Sequence, residues 1–245
     1  MSDRPRLSIV IAAYNESGNI GLLLREIAEL FAAEPYEAIV VDDGSDDRTA
    51  ASVMEAAAGE PRIMLVQHVL RSGKSAAIWT GVGRARGDWI ATLDGDGQND
   101  PRDLLALWHR LRDDEIPPDL WIFAGSRRRR NDGFVKFVTS RLGNWLRRRL
   151  LRDDTGDTGC GFKVIRADVF RALPYFDNMH RFYPALVRRA GGKVEEVSID
   201  DRPRQFGTSK YGFFDRLAVG ALDLIGVYWL CRRASWPRIR EDGSK

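Results

Sequence analysis

The sequence predicts an α/β fold: a mixed, mainly parallel central sheet flanked by helices. Three observations carry this expectation. Short β-branched runs alternate with helical periodicity through the first half of the chain, in βαβα order. The runs are continuously apolar, as strands of a parallel sheet covered on both faces are. The 245 residues, 44% hydrophobic, are enough to bury one sizeable core, so one catalytic domain is the expectation.

In chain order, residues 7–13 read as a strand, and Ile20, Leu23, Leu24, Ile27, Leu30 and Phe31 then fall on one helical face. Residues 37–41 and 63–67 read as strands with helices on either side of the latter, and 89–93 as a fourth buried strand. Asp100 before Pro101 has the form of an N-cap and first helical residue, with Asp103 in the first turn of a helix reaching Arg112. After Pro117 and Pro118 come a strand over 120–124 and a helix turning Phe134, Phe137, Val138, Leu142, Trp145 and Leu146 inward. Residues 156–161 read as a loop, 193–199 as a strand and 200–212 as a polar loop before a final helix. The expected division is a catalytic domain over 1–212 and a C-terminal amphipathic, membrane-associated helix with a basic tail over 213–245.

Thirty-eight basic against 35 acidic residues leave only +3, so net charge by itself points to neither nucleic acid nor membrane. Between Arg127 and Arg152, however, ten Lys or Arg accompany a single acid, Asp132, which suits an anionic partner. Cys160 and Cys231 are the only cysteines and no signal peptide precedes them, which favours a reducing compartment, the cytoplasm. The apolar stretch 213–231 carries Asp215, Arg216 and Asp223 and is a poor transmembrane helix. Two placements suit it: packed on the core, or lying in a membrane interface with Tyr228, Trp229 and Trp236 at headgroup level and Arg232, Arg233 and Arg238 beside anionic lipid.

The strongest chemical signal is Asp94, Asp96 and Gln98, at alternate positions just past a buried strand. Oxygen ligands so placed suit a hard divalent ion, Mg²⁺ or Mn²⁺, that also takes diphosphate oxygens. The carboxyl end of a parallel strand is also where open α/β sheets bind ligands. A second acidic loop, 42–49, opens at the same edge: Asp42 or Asp43 suits a base N–H, and Ser45 to Asp47 suit capping of the next helix. Tyr14, Asn15 and Glu16 add an aromatic face and a carboxylate. Three polar loops on one edge favour a nucleotide site.

Competing motifs fail on spacing. Gly73-Lys74-Ser75 lacks the earlier glycine of a phosphate loop, where His68 stands, and Gly81, Gly83 and Gly87 miss the dinucleotide spacing. Neither acidic loop has the sixth-position glycine of an EF-hand, and three scattered histidines with two cysteines make no zinc site. Arg127, Lys136, Ser140, Arg181, Arg204 and Lys210 supply anion-binding groups in or beside Gly/Ser-rich segments. His180 reads as a structural histidine in preference to a base.

With these motifs the chain resembles family 2 glycosyltransferases of the dolichol-phosphate mannose synthase and bacterial polyprenyl-phosphate glycosyltransferase type. The landmarks are Ala-Tyr-Asn-Glu at 13–16, Asp-Asp-Gly-Ser-Asp-Asp-Arg-Thr at 42–49, Asp-Gly-Asp-Gly-Gln at 94–98 and Gly-Ser-Arg at 125–127. Thr-Gly-Cys-Gly-Phe-Lys at 158–163, and Arg204 ahead of Gly-Thr-Ser-Lys at 207–210, complete them. Two positions depart from the pattern, Ala12 for a usual proline and Lys136 for a usual arginine.

The resemblance implies a GT-A (Rossmann-like) fold and inverting, metal-dependent transfer of a sugar from a GDP- or UDP-linked donor to a polyprenyl phosphate. It implies that Ala13, Tyr14, Glu16, Asp42, Asp43, Lys74, Asp94 and Gly95 hold the nucleotide-sugar and that Asp94, Asp96 and Gln98 hold Mg²⁺ or Mn²⁺. Arg127, Lys136, Ser140, Arg204 and Lys210 would face the acceptor phosphate, with Asp96, Arg127 and Arg204 most directly involved in catalysis. Relatives often carry additional transmembrane helices. The chain resembles the minimal forms, which attach peripherally at the cytoplasmic face of the membrane or borrow an integral membrane partner or a second copy, without nucleic acid.

Overall fold

The structure is a computed structural model that describes residues 4–128, 147–151, 155–203, 206 and 213–233, with backbone alone over 213–219. Its sheet runs in the order β3-β2-β1-β4-β6-β5-β7. The strands are β1 (Leu7–Ala13), β2 (Tyr36–Asp42), β3 (Ile63–Gln67), β4 (Trp89–Asp94), β5 (Leu120–Arg127), β6 (Lys163–Arg166) and β7 (Lys193–Ile199). β1 lies parallel to β2 and β4, β2 to β3, and β5 to β7. β6 is antiparallel to both β4 and β5. Six strands therefore end on one edge, and the reversed β6 begins there, which brings Lys163 to the edge where Asp42, Asp94 and Arg127 stand.

The expected mainly parallel sheet is present, and the strands expected over 7–13, 63–67 and 193–199 have those bounds. β5 runs three residues past its expected end, carrying Gly125, Ser126 and Arg127 to the sheet edge. The sequence reading did not include β6. It is four residues long and has Lys163 and Arg166 at its ends, so it shows no apolar run.

Helices cover both faces: α1 (Ile20–Leu30), α2 (Thr49–Ala57), α3 (Lys74–Arg84), α4 (Pro101–Asp113), α5 (Ala167–Ala172), α6 (Tyr183–Arg189) and α7 (Phe213–Arg232). On one face, Ile20, Leu24, Ile27, Phe31, Leu104 and Trp108 meet Ile9, Ile11, Ala91 and Phe123 of the sheet. On the other, Ile78, Val82, Phe170 and Leu186 meet Val10, Ile39, Val41, Ile90 and Ile165. Successive strand residues thus feed opposite cores, each large side chain contributing about 1.5–3 kcal/mol of burial. Leu30, expected inward on α1, is only partly buried at its end.

The expected caps are in place. Asp100 accepts the Arg102 N–H at 2.8 Å, with Pro101 first in α4, and Asp47 accepts the Thr49 N–H at 2.8 Å before α2. Glu34, just beyond α1, accepts from Trp108 Nε1 at 2.7 Å and from Arg112 Nη1 at 3.1 Å, and so ties α4 to α1.

Among the described residues no helix is long and apolar enough to cross a membrane. α7 packs one face on the core through Val227, with Leu224, Tyr228 and Leu230 beside it, and Arg189 Nε donates to the Leu230 carbonyl at 3.0 Å. Its other face exposes Leu222, Ile225 and Trp229, at 71%, 63% and 60%. The expected helix with Phe134 and Leu146, the anion-binding Lys136, Ser140, Arg204 and Lys210, and Trp236 and Arg238 lie outside the described residues.

Candidate active site

The loops after β1, β2 and β3 form one hydrogen-bonded unit. Buried Asp43 accepts the N–H groups of Ser72 and Gly73, both at 2.8 Å, while His68 Nδ1 lies 2.8 Å from its Oδ1. The other ring nitrogen of His68 is 2.9 Å from Thr80 Oγ1 on α3. Asp43 thereby fixes residues 68–73 and the start of α3. Asp42 accepts from Ser45 N–H at 3.1 Å and from Gln67 Nε2 at 3.4 Å. Asn15, in the left-handed region at φ 52°, donates through Nδ2 to Asp46 at 2.5 Å. Glu16 accepts from Asn19 Nδ2 at 2.7 Å, and the same nitrogen reaches the Phe206 carbonyl at 3.2 Å. The Arg71 guanidinium lies over the Tyr14 ring, 4.3 Å from its centre, a cation–π contact on the face expected to meet a base.

At the end of β4, Asp94 pairs with Lys74 of α3. Asp96 accepts the Gln98 N–H at 3.2 Å. The Gln98 carbonyl accepts the Arg202 N–H at 2.8 Å, and Asn99 bridges Asp201, so the loop bearing Asp94, Asp96 and Gln98 is strapped to the segment after β7. Arg202 in turn grips Glu26 with two 2.7 Å bonds and Asp100 at 2.5 Å. Gly95 sits against Ala12 and Ala13, so a side chain there would crowd β1.

Arg127 enters from β5 already engaged: Nε and Nη2 fork onto buried Asp157 at 2.6 and 3.1 Å, and Nη1 is 3.8 Å from Asp201. Burial opposes its charge, but the Asp157 carboxylate outweighs burial and holds the guanidinium above its usual range. Burial and the nearby charges of Asp96, Asp157 and Asp94 raise the Asp201 carboxyl against the pull of Arg127. Lys163 is fully buried and donates to the Cys160 carbonyl at 2.5 Å; burial, with Lys74 nearby, lowers its pKa. His180 Nδ1 lies 2.8 Å from Ser75 Oγ, and burial together with the charges of Lys74 and Arg181 pushes its pKa well below the usual value. It is a neutral, hydrogen-bonded ring, in keeping with a structural role.

One sheet edge thus carries Ala13, Tyr14, Glu16, Asp42, Asp43, Lys74, Asp94, Gly95, Asp96, Gln98 and Arg127. Among the described residues no three His, Cys, Asp or Glu side chains already surround a single metal position. Sequence reasoning missed Asp157, Lys163 and Asp201 as members of this site. Asp157 fell in the loop read over 156–161 and Lys163 closed the family landmark at 158–163, but neither had an assigned chemistry.

The profile of Glycosyl transferase family 2 matches residues 8–173, from β1 through α5. The chain belongs to this family. This family 2 glycosyl transferase is 32% identical over 237 residues to a dodecaprenyl-phosphate galacturonate synthase of Rhizobium johnstonii, covering 94% of the chain and 69% of that protein. It is 30% identical to an undecaprenyl-phosphate 4-deoxy-4-formamido-L-arabinose transferase of Yersinia enterocolitica, covering 84% of the chain and 62% of that relative. Among solved structures, mannosyl-3-phosphoglycerate synthase of Rubrobacter xylanophilus superposes with a TM-score of 0.69 at 18% identity, covering 94% of this chain and 74% of the other. Glucosyl-3-phosphoglycerate synthase of Mycobacterium tuberculosis, in complex with Mn²⁺ and UDP-glucose, gives 0.67 at 18% identity over 93% and 79%. The glycosyl transferase therefore has the GT-A fold.

Proposed function

We propose that this glycosyl transferase moves a sugar from a nucleotide-sugar onto a polyprenyl phosphate, with inversion, giving a polyprenyl-phosphate-sugar. The observation that carries the reading is the acidic β4 edge, Asp94 and Asp96 beside Lys74 and Arg127, in a chain whose relatives are named as polyprenyl-phosphate sugar transferases. Donor nucleotide binds across the loops of Tyr14, Glu16 and Asp43, with Arg71 placed to meet it from the Tyr14 face. Asp43 acts there by holding the 68–73 backbone, because three protein donors already use its oxygens.

The carboxylates fit a divalent ion. Asp94 and Asp96 crowd Asp201 with negative charge, and a Mg²⁺-like ion asks for only one or two carboxylates when substrate phosphates complete its shell. Asp94 and Asp96, with Gln98 beside them, would hold it, and the bound ion would supply charge compensation to the departing nucleoside diphosphate. The Mn²⁺ in a fold relative's complex supports a divalent ion here. Lys74 and the Asp157-braced Arg127 contribute fixed positive charge at the same edge.

The nucleophile is an oxygen of the lipid phosphate, attacking the anomeric carbon directly. A phosphate monoester with a second pKa of about 6 is largely ionised at neutral pH, so no general base is required. His180, neutral and bonded to Ser75, is not needed as one. The protein works at the cytoplasmic face of a membrane, to which the exposed stripe Leu222, Ile225 and Trp229 attaches it peripherally.

The test compares undecaprenyl phosphate with undecaprenol as acceptor in the presence of Mn²⁺ or Mg²⁺. Transfer to the phosphate alone is expected. Equal transfer to the alcohol, or to a saccharide hydroxyl in place of either, contradicts the proposal.

A further inference from the structure

Residues 160–163 have no assigned part in the chemistry, yet their backbone is pinned one carbonyl at a time. The Cys160 carbonyl accepts from buried Lys163 Nζ at 2.5 Å. The Gly161 carbonyl accepts from Thr92 Oγ1 on β4 at 2.7 Å. The Phe162 carbonyl accepts the Gly125 N–H of β5 at 3.0 Å. Between these anchors Gly161 faces the Asp94 carboxylate so closely that a Cβ at 161 would overlap its three terminal atoms. Thr92 and Asp94 are two residues apart on one strand and so project to the same face.

The geometry points to Thr92, Gly161 and Lys163 as positioning residues that form a backbone seat for Asp94 and fix the direction of its carboxylate. A lysine is almost never fully buried unless its hydrogen bonds are satisfied, and here Nζ donates to the Cys160 carbonyl, while the charges of Asp157 and Asp94 offset part of a burial cost that still lowers its pKa. Placing it at the first residue of β6 holds the turn that precedes β6 against the end of β4. Thr92 adds a second tie from the strand that carries Asp94. A glycine at 161 then leaves room for the carboxylate, while the pinned backbone prevents the carboxylate from swinging further. Arg127 and Asp157 brace the same loop from the far side. Asp94 is thereby preorganised, which matters where charge must be met at a fixed point. This inference rests on the reading of Asp94 as a donor-side residue, but its first test does not.

That test is a double-mutant cycle read by thermal melting without ligand. Gly161→Ala lowers the melting temperature of the full chain by several degrees through the clash. In an Asp94→Ala background, where the carboxylate is gone, the same substitution costs little or nothing. An equal loss in both backgrounds overturns the seat. The second test uses transfer kinetics: Thr92→Val, which keeps shape but removes the donor, lowers kcat about tenfold while donor KM changes little, and Thr92→Ser restores kcat. Unchanged kcat in Thr92→Val, or a loss that Thr92→Ser fails to restore, overturns the part assigned to Thr92. If no acceptor supports transfer, the melting cycle still decides the seat on its own.

Discussion

Asp94 and Asp96 stand two residues apart where β4 leaves the sheet, and they differ in surroundings: Asp94 is met by Lys74 and the Gly161 backbone, Asp96 by its own loop. Asp96→Ala should therefore abolish metal-dependent turnover and leave the melting temperature nearly unchanged, since it removes no packed atom from the core. Turnover at saturating donor, followed with thermal melting, checks this. Arg127 differs, because its guanidinium is oriented by Asp157. Asp157→Asn keeps the shape but loses the ionic fork, and should lower kcat by about one to two orders of magnitude while Arg127 remains in place. Wild-type turnover in that variant would show that the fork is dispensable. Asp94, Asp96, Tyr14 and Asp43 were legible in the sequence because each ends its own strand or follows it within two residues, and parallel strands ending together need no further information. Asp157 and Lys163 come from a segment that the reversal of β6 brings to that edge, whereas Asp201 follows β7 within two residues and is tied there by Asn99, but read in the sequence only as part of the polar loop over 200–212.

At the scale of elements, α1, α4 and the end of β4 form a braced frame. Burial raises the Glu34 carboxyl, but hydrogen bonds from Trp108 and His109 and the charge of Arg112 outweigh it and hold the group below its usual range. The stabilisation is therefore present above the ordinary carboxylate range and is lost as pH falls through the depressed value. Glu34→Ala, which leaves the buried Trp108 N–H without its acceptor, should cost about 1–3 kcal/mol at neutral pH. The gap to wild type should narrow as pH falls toward the value at which Glu34 protonates, which denaturant melts from neutral to acid pH would measure. α4 was legible from its cap and periodicity. β6 was not, because a four-residue strand opening with a buried lysine carries neither the length nor the polarity of a strand, and its stability comes from the two neighbours it bonds. On α7, Trp229→Ser with Leu222→Ser should weaken pelleting with phosphatidylglycerol vesicles several-fold without altering folding, since both side chains are exposed. Undiminished pelleting would assign membrane contact to another surface.

At the scale of the molecule, six strands ending on one edge converge the proposed nucleotide-binding side, from β1, β2 and β3, with an acidic and basic side, from β4, β5 and the start of β6. The sheet's reversed strand lets the two sides share one floor, and α7 lies against α6, buried at Val227, with an apolar stripe outward. That arrangement suits a water-soluble donor and a lipid-anchored acceptor meeting at one edge. The measurement that tests this most directly is transfer of label from UDP-, GDP- and dTDP-linked sugars to undecaprenyl phosphate with Mn²⁺ or Mg²⁺, scored by label entering the organic phase. The account predicts label in a polyprenyl-phosphate-sugar from at least one donor, lost in Asp96→Ala. Absence of labelled lipid from every donor, with the protein folded and donor bound, would contradict it.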